Sequence, residues 1–524
     1  MTGADFLVER LFHHGVRVVF GMPGSHSTAI YDAIARHKRI RTILARNEQA
    51  AAFMADGFAR ATGKPGVICT TAGPGATNAL TGVAEAWADS IPILLLAGQV
   101  NADRIHQECG NYHEIDLDRI FAPCTKFHAT VMSHDQIGGT VDRAFLSMGM
   151  GRPRPTAIFL PQDLMNQEVR DATMTDPTFP EIEVKYPEAE IRKAAEMLTG
   201  CHHPILLAGG GAIHSKAGDD LRLLAQKLNC PLITTLNGKG ILDERDAYSL
   251  GHARSTRAKI ALDLTDGMLA VGCRFTEVMT GFRAMKVPTR LAQIDIDPVQ
   301  IGMNFPVEVG IVADARVAVR ALRGAVADNY RSSWGVDWEL AREAGVEKPE
   351  WLIHTLRAEL PDDAIVFTDA AEMAYRMHTD FPVYGPRMFF YPSNFISLGW
   401  GFPAALGAAV AFPDRPVVSV SGDGGFQMTA QELSTAVRYQ LKTIAVIHND
   451  GVYGAIKNIQ ERRHGGRFVD TELNNPDFMR LAAAYDVPAV RAPDPGAFAV
   501  ALRQAMERRG PSVIEIPDDW RYLR

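Results

Sequence analysis

The chain has 524 residues, too many for a single core, and at roughly 100–200 residues per domain it divides into about three domains. Apolar residues at 47%, charged residues at 22% and aromatics at 8% describe an ordinary folded chain and exclude a disordered, fibrous or disulfide-scaffold protein. A net charge of −7 without a basic run argues against nucleic acid, and no stretch approaches the ~20 apolar residues of a membrane span. The first residues carry Asp5 and Glu9 and lack the basic-then-apolar build of a signal peptide. Six scattered cysteines form no CxxC pair and no zinc spacing. The expectation is a reduced, cytoplasmic protein with no membrane partner.

Short apolar runs alternate with helix-length segments along the chain. Runs at 16–20, 66–70, 91–98 and 156–161 come first, then 204–210, 268–272 and 290–297, then 364–369, 417–424, 442–450 and 512–517. Runs of this kind are strands buried on both faces, so they predict an α/β fold of three doubly wound parallel-sheet domains. Two stretches read as connections: 171–188, with three prolines and no steady period, and 324–350, polar and irregular. The expected units are 1–170, 188–324 and 350–524.

The third unit holds the most specific pattern. Asp423 ends a strand, and Gly422, Gly424 and Gly425 around it permit close approach of backbone to a ligand. The next strand ends in Asn449-Asp450, 26 and 27 residues after Asp423. Neighbouring parallel strands would bring Asp423 and Asp450 to one sheet edge. Two oxygen ligands beside a phosphate cradle suit Mg²⁺, which completes its shell with phosphate and water. A lone Gly-Asp-Gly is more simply a solvated turn; the second pair at this spacing turns the reading toward a metal.

This pattern resembles the cofactor motif of the thiamine diphosphate-dependent 2-oxo acid decarboxylase and acetolactate synthase superfamily, and the resemblance spans nearly the whole chain. It implies a pyrimidine-binding first domain, a central nucleotide-fold domain and a diphosphate-binding third domain. Cofactor sites would lie between subunits, so a homodimer is the minimum and a tetramer is expected. By the same resemblance Asp423, Asp450, Asn449 and Val452 belong to the Mg²⁺ site. Gly422, Gly424, Gly425, Met428 and Tyr453 line the cofactor, and Leu398 forces its two rings into a bent form.

In the first unit the resemblance places Glu48 against N1′ of the aminopyrimidine, where a carboxyl can exchange a proton with a ring nitrogen and so activate the thiazolium. Alone, Glu48 would be a helix-start glutamate matching the helix dipole. By the same resemblance Gly73 and Asn78, in TTAGPGATNAL, would line the pyrimidine pocket; the segment alone reads as a tight strand-to-helix turn, and the two readings are compatible. Ser25 and His26 stand in a loop where relatives place substrate-facing residues, and Tyr112-His113-Glu114 stands where acetolactate synthases have Phe-Gln-Glu. A histidine titrates near neutral pH, so His113 is a candidate acid–base group. Asp369 and Glu372 either lie near the diphosphate or end a strand.

Departures limit the substrate. Val278 replaces the arginine that holds the acceptor carboxylate in acetolactate synthases, and Ile459 replaces their acceptor-selecting tryptophan. Thr71 stands where benzoylformate decarboxylase has its histidine, and no adjacent His-His pair follows as in pyruvate decarboxylase. In the central unit, Gly209, Gly210 and Gly211 with Asp295 or Asp297 could meet a dinucleotide. The fingerprint is incomplete, so an empty structural domain is favoured over FAD or ADP. The expected function is a thiamine diphosphate- and Mg²⁺-dependent enzyme that cleaves or forms a C–C bond next to a carbonyl of a 2-oxo acid. A 2-hydroxyacyl-CoA lyase or acyl-CoA decarboxylase is the alternative, a non-catalytic scaffold the second, and a flavin oxidase stays open.

Overall fold

The computed structural model describes residues 1–107, 110–169, 185–343 and 350–518. It contains three six-stranded sheets, and every strand pairing within them is parallel. In the first sheet the spatial order is 41–44, 18–21, 66–70, 93–99, 156–161 and 127–130. The second runs 309–312, 290–295, 267–271, 204–208, 232–234 and 249–252, and the third 389–390, 365–368, 417–422, 443–449, 512–517 and 489–491. All the apolar runs of the sequence are strands. Those not read from sequence lie at sheet edges, apart from Leu232–Thr234, because an edge strand needs no continuous apolar run. The edge strand Arg41–Leu44, for example, buries only Ile43 fully.

The first and third units pack directly on each other through the helices Glu48–Thr62 and Gly401–Ala411. Gly57 faces the backbone of Ala404, and Gly407 that of Met54, so a side chain at either position would overlap main chain. Buried apolar side chains of both units merge there, Phe53, Trp400 and Phe402 among them. Most of the expected connection at 171–188 lies outside the described residues. The second connection, expected to be irregular, is instead partly core. Trp334 is fully buried and donates its indole N–H to the carbonyl of Pro204 at 2.7 Å. A helix Gly335–Glu343 follows, with Trp338 against Tyr248. Trp334, Trp338 and Ala341 recur at helical spacing, which packs this polar segment onto the central sheet. No described helix is long and apolar enough to cross a membrane.

Candidate active site

Glu48 opens the helix Glu48–Thr62, capped by Asn47, whose side chain accepts from the N–H of Gln49 at 2.8 Å. Glu48 is 4% exposed. Its Oε2 accepts from Asn78 Nδ2 at 3.0 Å, and a methyl placed on Gly75 would come within 3.1 Å of its Oε1. Thr71, at the end of strand Gly66–Thr70, ties the surrounding loops together. Its hydroxyl accepts from the N–H of His26 at 3.3 Å, and its side chain fills the space beside Gly24 and Gly75. Gly73 is left-handed (φ 56°) and abuts the backbone of His113, which is itself left-handed (φ 65°).

The aromatic residues of this edge stack. Ring centroids of Tyr112 and His113 are 3.8 Å apart, and His26 lies 5.6 Å from the first and 5.4 Å from the second. Ser25 Oγ is 3.1 Å from Nδ1 of His26. Burial, helped by the neighbouring His113, holds the His26 imidazole below its ordinary value. The Nδ1 of His113 is buried with no hydrogen-bond partner among the described residues. Glu48, Gly73, Asn78, Ser25, His26, Tyr112 and His113 therefore come together.

In the third unit Gly422 and His448 are register partners, so Asp423 and Asn449-Asp450 emerge side by side. Asp423 accepts from the N–H of Gly424 at 2.9 Å, from the N–H of Gly451 at 2.9 Å and from Asn475 Nδ2 at 2.5 Å. Asn449 is a brace: its Oδ1 accepts from Asn475 at 2.8 Å and its Nδ2 donates to Glu515 at 2.7 Å. Burial raises the Asp423 carboxyl, and burial together with the Asp423 charge raises Asp450 to about 6. A buried and a half-buried carboxylate at one edge, the first raising the second, are a donor set fitted to a divalent cation, and the Val452 carbonyl lies two residues beyond Asp450. Gly424 lies under the Tyr453 ring, and Gly425 lies against Leu398 and Asp369. Leu398 and the half-exposed Met428 flank the same turn through Gly425 and Gly399. These contacts fit a ligand that needs bare backbone on one side and an apolar support on the other.

Asp369 resolves as a strut. It accepts from the N–H groups of Ala370, Gly399 and Gly401 at 2.7, 3.0 and 3.2 Å. Glu372 lies near Asp450 across Gly454 and accepts from Asn458 at 2.9 Å. Sequence reasoning missed Asn475 and, having noted Thr71 only as a departure from a relative's histidine, its bracing role; both roles come from distant segments that carry no local signal. It also missed Glu432, buried and raised to about 7, which accepts the N–H of Arg46 at 2.9 Å just before Glu48.

Residues 1–119 match the N-terminal TPP binding domain of thiamine pyrophosphate enzymes, 191–322 the central domain and 369–516 the C-terminal TPP binding domain. The "Probable acetolactate synthase large subunit" of Methanocaldococcus jannaschii is 34% identical over 99% of this chain and 92% of its own length. The acetolactate synthase large subunit of Haemophilus influenzae is 33% identical over 96% of this chain and 92% of its own length. The acetolactate synthase isozyme 3 large subunit of Escherichia coli is 33% identical over 97% of this chain and 92% of its own length. The chain belongs to the thiamine pyrophosphate enzyme family.

This thiamine pyrophosphate enzyme is acetolactate synthase-like, in the class that decarboxylates and ligates next to a carbonyl. Its two cofactor-binding domains are the units that carry Glu48 and Asp423. Ile459 is 43% exposed on the helix Gly454–His464. Val278 lies instead on a cavity of about 380 Å³ where the three units meet. The Gly209–Gly211 turn borders this cavity, but Gly209 and Gly211 are there for packing, because side chains would collide with the backbone of Gly272. Asp295 accepts from the N–H of Asp297 at 2.9 Å, and burial raises it. Six cations line the cavity, Arg60, Arg152, Lys239, Arg254, Arg274 and Arg387, of which Arg60 is paired with Asp56 and Asp89 and Lys239 with Glu244.

Proposed function

We propose that the protein is a Mg²⁺-dependent enzyme that removes CO₂ from a 2-oxo acid and protonates the carbon left behind, with ligation to a second carbonyl as the competing outcome. The observation that supports protonation is the stacked His26–Tyr112–His113 group beside the Glu48 pocket. When bound, thiamine diphosphate supplies the electron sink for the carbon that loses CO₂. Asp423, Asp450 and the Val452 carbonyl would hold Mg²⁺, and Gly424 and Gly425 leave room for the diphosphate. Asn78 fixes Oε2 of Glu48, which leaves the carboxyl oriented to exchange a proton with the aminopyrimidine. Ser25 at Nδ1 of His26 leaves Nε2 to face the substrate; burial keeps this imidazole neutral at neutral pH, so it would hand a proton to the carbon only after taking one up from solvent.

Val278 and Ile459, in place of acceptor-holding residues, favour protonation over ligation: an acceptor without its bidentate carboxylate partner loses roughly a kcal/mol or more of binding. Each site would join the first unit of one subunit to the third of another, in a homodimer or tetramer, and we place the enzyme in the cytoplasm. The test is CO₂ release from a panel of 2-oxo acids with Mg²⁺ and thiamine diphosphate, with and without an aldehyde acceptor. Release with an aldehyde product is expected; a ligated product that forms whenever acceptor is present would move the enzyme to the carboligases.

The cation-lined cavity favours a second ligand, against the expectation of an empty central domain. Its volume lies in the range of small-molecule sites, and its charge suits an anionic nucleotide such as FAD, ADP or the ADP end of an acyl-CoA. A yellow purified protein identifies a flavin. Calorimetric binding of CoA, with release of an acyl-CoA product, would support the acyl-CoA lyase reading.

A further inference from the structure

The segment Ser393–Trp400 carries Leu398 and belongs to no helix or strand, yet Ser393, Ser397, Gly399 and Trp400 are buried, Asn394, Ile396 and Leu398 half-buried, and only Phe395 is exposed. Within it Ile396 is left-handed (φ 60°), a conformation that a β-branched residue adopts only when its surroundings impose it. The surroundings are carboxylates of the first domain. Asp89 accepts from the N–H of Ser393 at 2.9 Å and from the side chain of Asn394. Glu85 accepts from the N–H of Ser397 at 2.9 Å, and Asp56 accepts from the indole of Trp400 at 2.7 Å. The three acids thus grip the segment before, beside and after Leu398.

One arginine serves all three acids. Arg60 reaches Asp56 at 2.8 Å and Asp89 at 2.9 Å but lies 3.8 Å from Glu85. Glu85 is 0% exposed, and its Oε1 has no hydrogen-bond partner among the described residues. Burial, reinforced by the Asp89 charge, raises its carboxyl well above the usual range. Asp56 and Asp89 have Arg60 close at hand; Glu85 has chiefly the Ser397 N–H. A buried acid kept in so poorly compensated a place has a use there other than ion pairing.

We propose that Glu85 is a positioning residue for cofactor activation: through Ser397 it holds Ile396 in its strained conformation and so fixes where Leu398 stands beneath the cofactor. This rests on the reading of Leu398 as the cofactor's support. Without the acceptor at 85, Ile396 relaxes toward an ordinary backbone conformation and carries its neighbour with it. A single strained residue disfavours its conformation by about tenfold or more, so one lost hydrogen bond is enough to shift the balance.

The test measures C2–H/D exchange of thiamine diphosphate bound to the Mg²⁺ holoenzyme. Glu85→Met keeps the volume and removes the acceptor, and it reduces the buried acid excess, which favours folding. It is expected to slow exchange at saturating cofactor by about tenfold while cofactor affinity stays within about threefold, a separation that general destabilisation would not produce. Glu85→Gln keeps an acceptor oxygen and is expected to exchange within about threefold of wild type. Adding Ile396→Gly to Glu85→Met removes the strain and is expected to restore most of the rate. Exchange by Glu85→Met at the wild-type rate overturns the proposal, as does an equal loss in Glu85→Gln. If Glu85→Met does not fold, amide exchange of the wild-type segment 393–400 decides: protection is expected, and free exchange at Ser397 overturns the proposal. A wild-type holoenzyme with no C2–H exchange would sink instead the cofactor reading on which the proposal rests.

Discussion

The central and third units each turn from a buried parallel strand through clustered glycines into a short helix, and they use those glycines differently. At 209–211 the missing side chains make room for another backbone, the left-handed Gly272 and its neighbour Cys273. At 424–425 the neighbours are the side chains Tyr453, Leu398 and Asp369, and an acid pair stands at the same edge. A glycine-rich turn therefore signals close approach, but what approaches is settled by a loop far away in sequence. One turn holds a fold together; the other leaves space that a cofactor can fill.

Five variants break or sharpen this contrast. The largest effect is expected outside both turns: Glu48→Gln should slow C2–H exchange of bound cofactor by about 10²–10⁴-fold with binding retained, which separates chemistry from binding. An unchanged rate would remove Glu48 from the site. Asp423→Ala should weaken Mg²⁺-dependent cofactor binding by about 10²-fold, read by calorimetric titration, because a ligand to the metal is lost. Binding that survives would make the third unit's turn as structural as the central one.

The glycines themselves come next. Gly209→Ala should destabilise the protein by about 1–3 kcal/mol in thermal or denaturant unfolding, with or without cofactor, since a methyl would meet backbone that cannot yield. Gly424→Ala places its methyl 2.5 Å from a carbon of the Tyr453 ring, which can rotate away. Its stability should change little while cofactor affinity falls by about tenfold. Equal behaviour of the two variants would erase the distinction between the turns.

The smallest effect concerns the wall of the central cavity. Burial, and then the charges of Arg254 and Lys239, hold His378 down to about 3 against an ordinary 6.5. Below about 6.5 the unfolded chain takes up a proton that the native state refuses. Stability is thus complete above that pH and declines as pH falls, by at most about 1.4 kcal/mol per unit from this residue. His378→Gln should flatten that slope in unfolding measured between pH 6.5 and 5. An unaltered slope would mean that His378 takes up its proton in the folded protein.

The central strands were legible because a strand buried on both faces is a continuous apolar run, as in 93–99 or 443–449. Edge strands such as Phe127–Thr130, with no fully buried position, gave no such run. The segment after 324 was misread because three well-spaced apolar residues, Trp334, Trp338 and Ala341, lie in a polar background. In the candidate site, the meeting of Asp423 and Asp450 at one sheet edge was legible because their spacing links neighbouring strand ends, whereas Glu48 was marked only by the family resemblance. Asn475, Thr71, Glu432 and Glu85 were not, since each serves a partner on another segment, and a single Asn, Thr or Glu has many other uses.

By itself the sequence determined three parallel sheets, the strand ends where chemistry gathers, and the residue types placed there, because burial and turn chemistry are written locally. Only the tertiary structure decided that Asn449 is a brace and Asp369 a strut, and that Gly209 packs on backbone. It also decided that three buried acids grip the strained segment around Leu398. These assignments depend on which donor meets which acceptor across domains, and no local pattern encodes a partner more than three hundred residues away, as Ser397 is from Glu85.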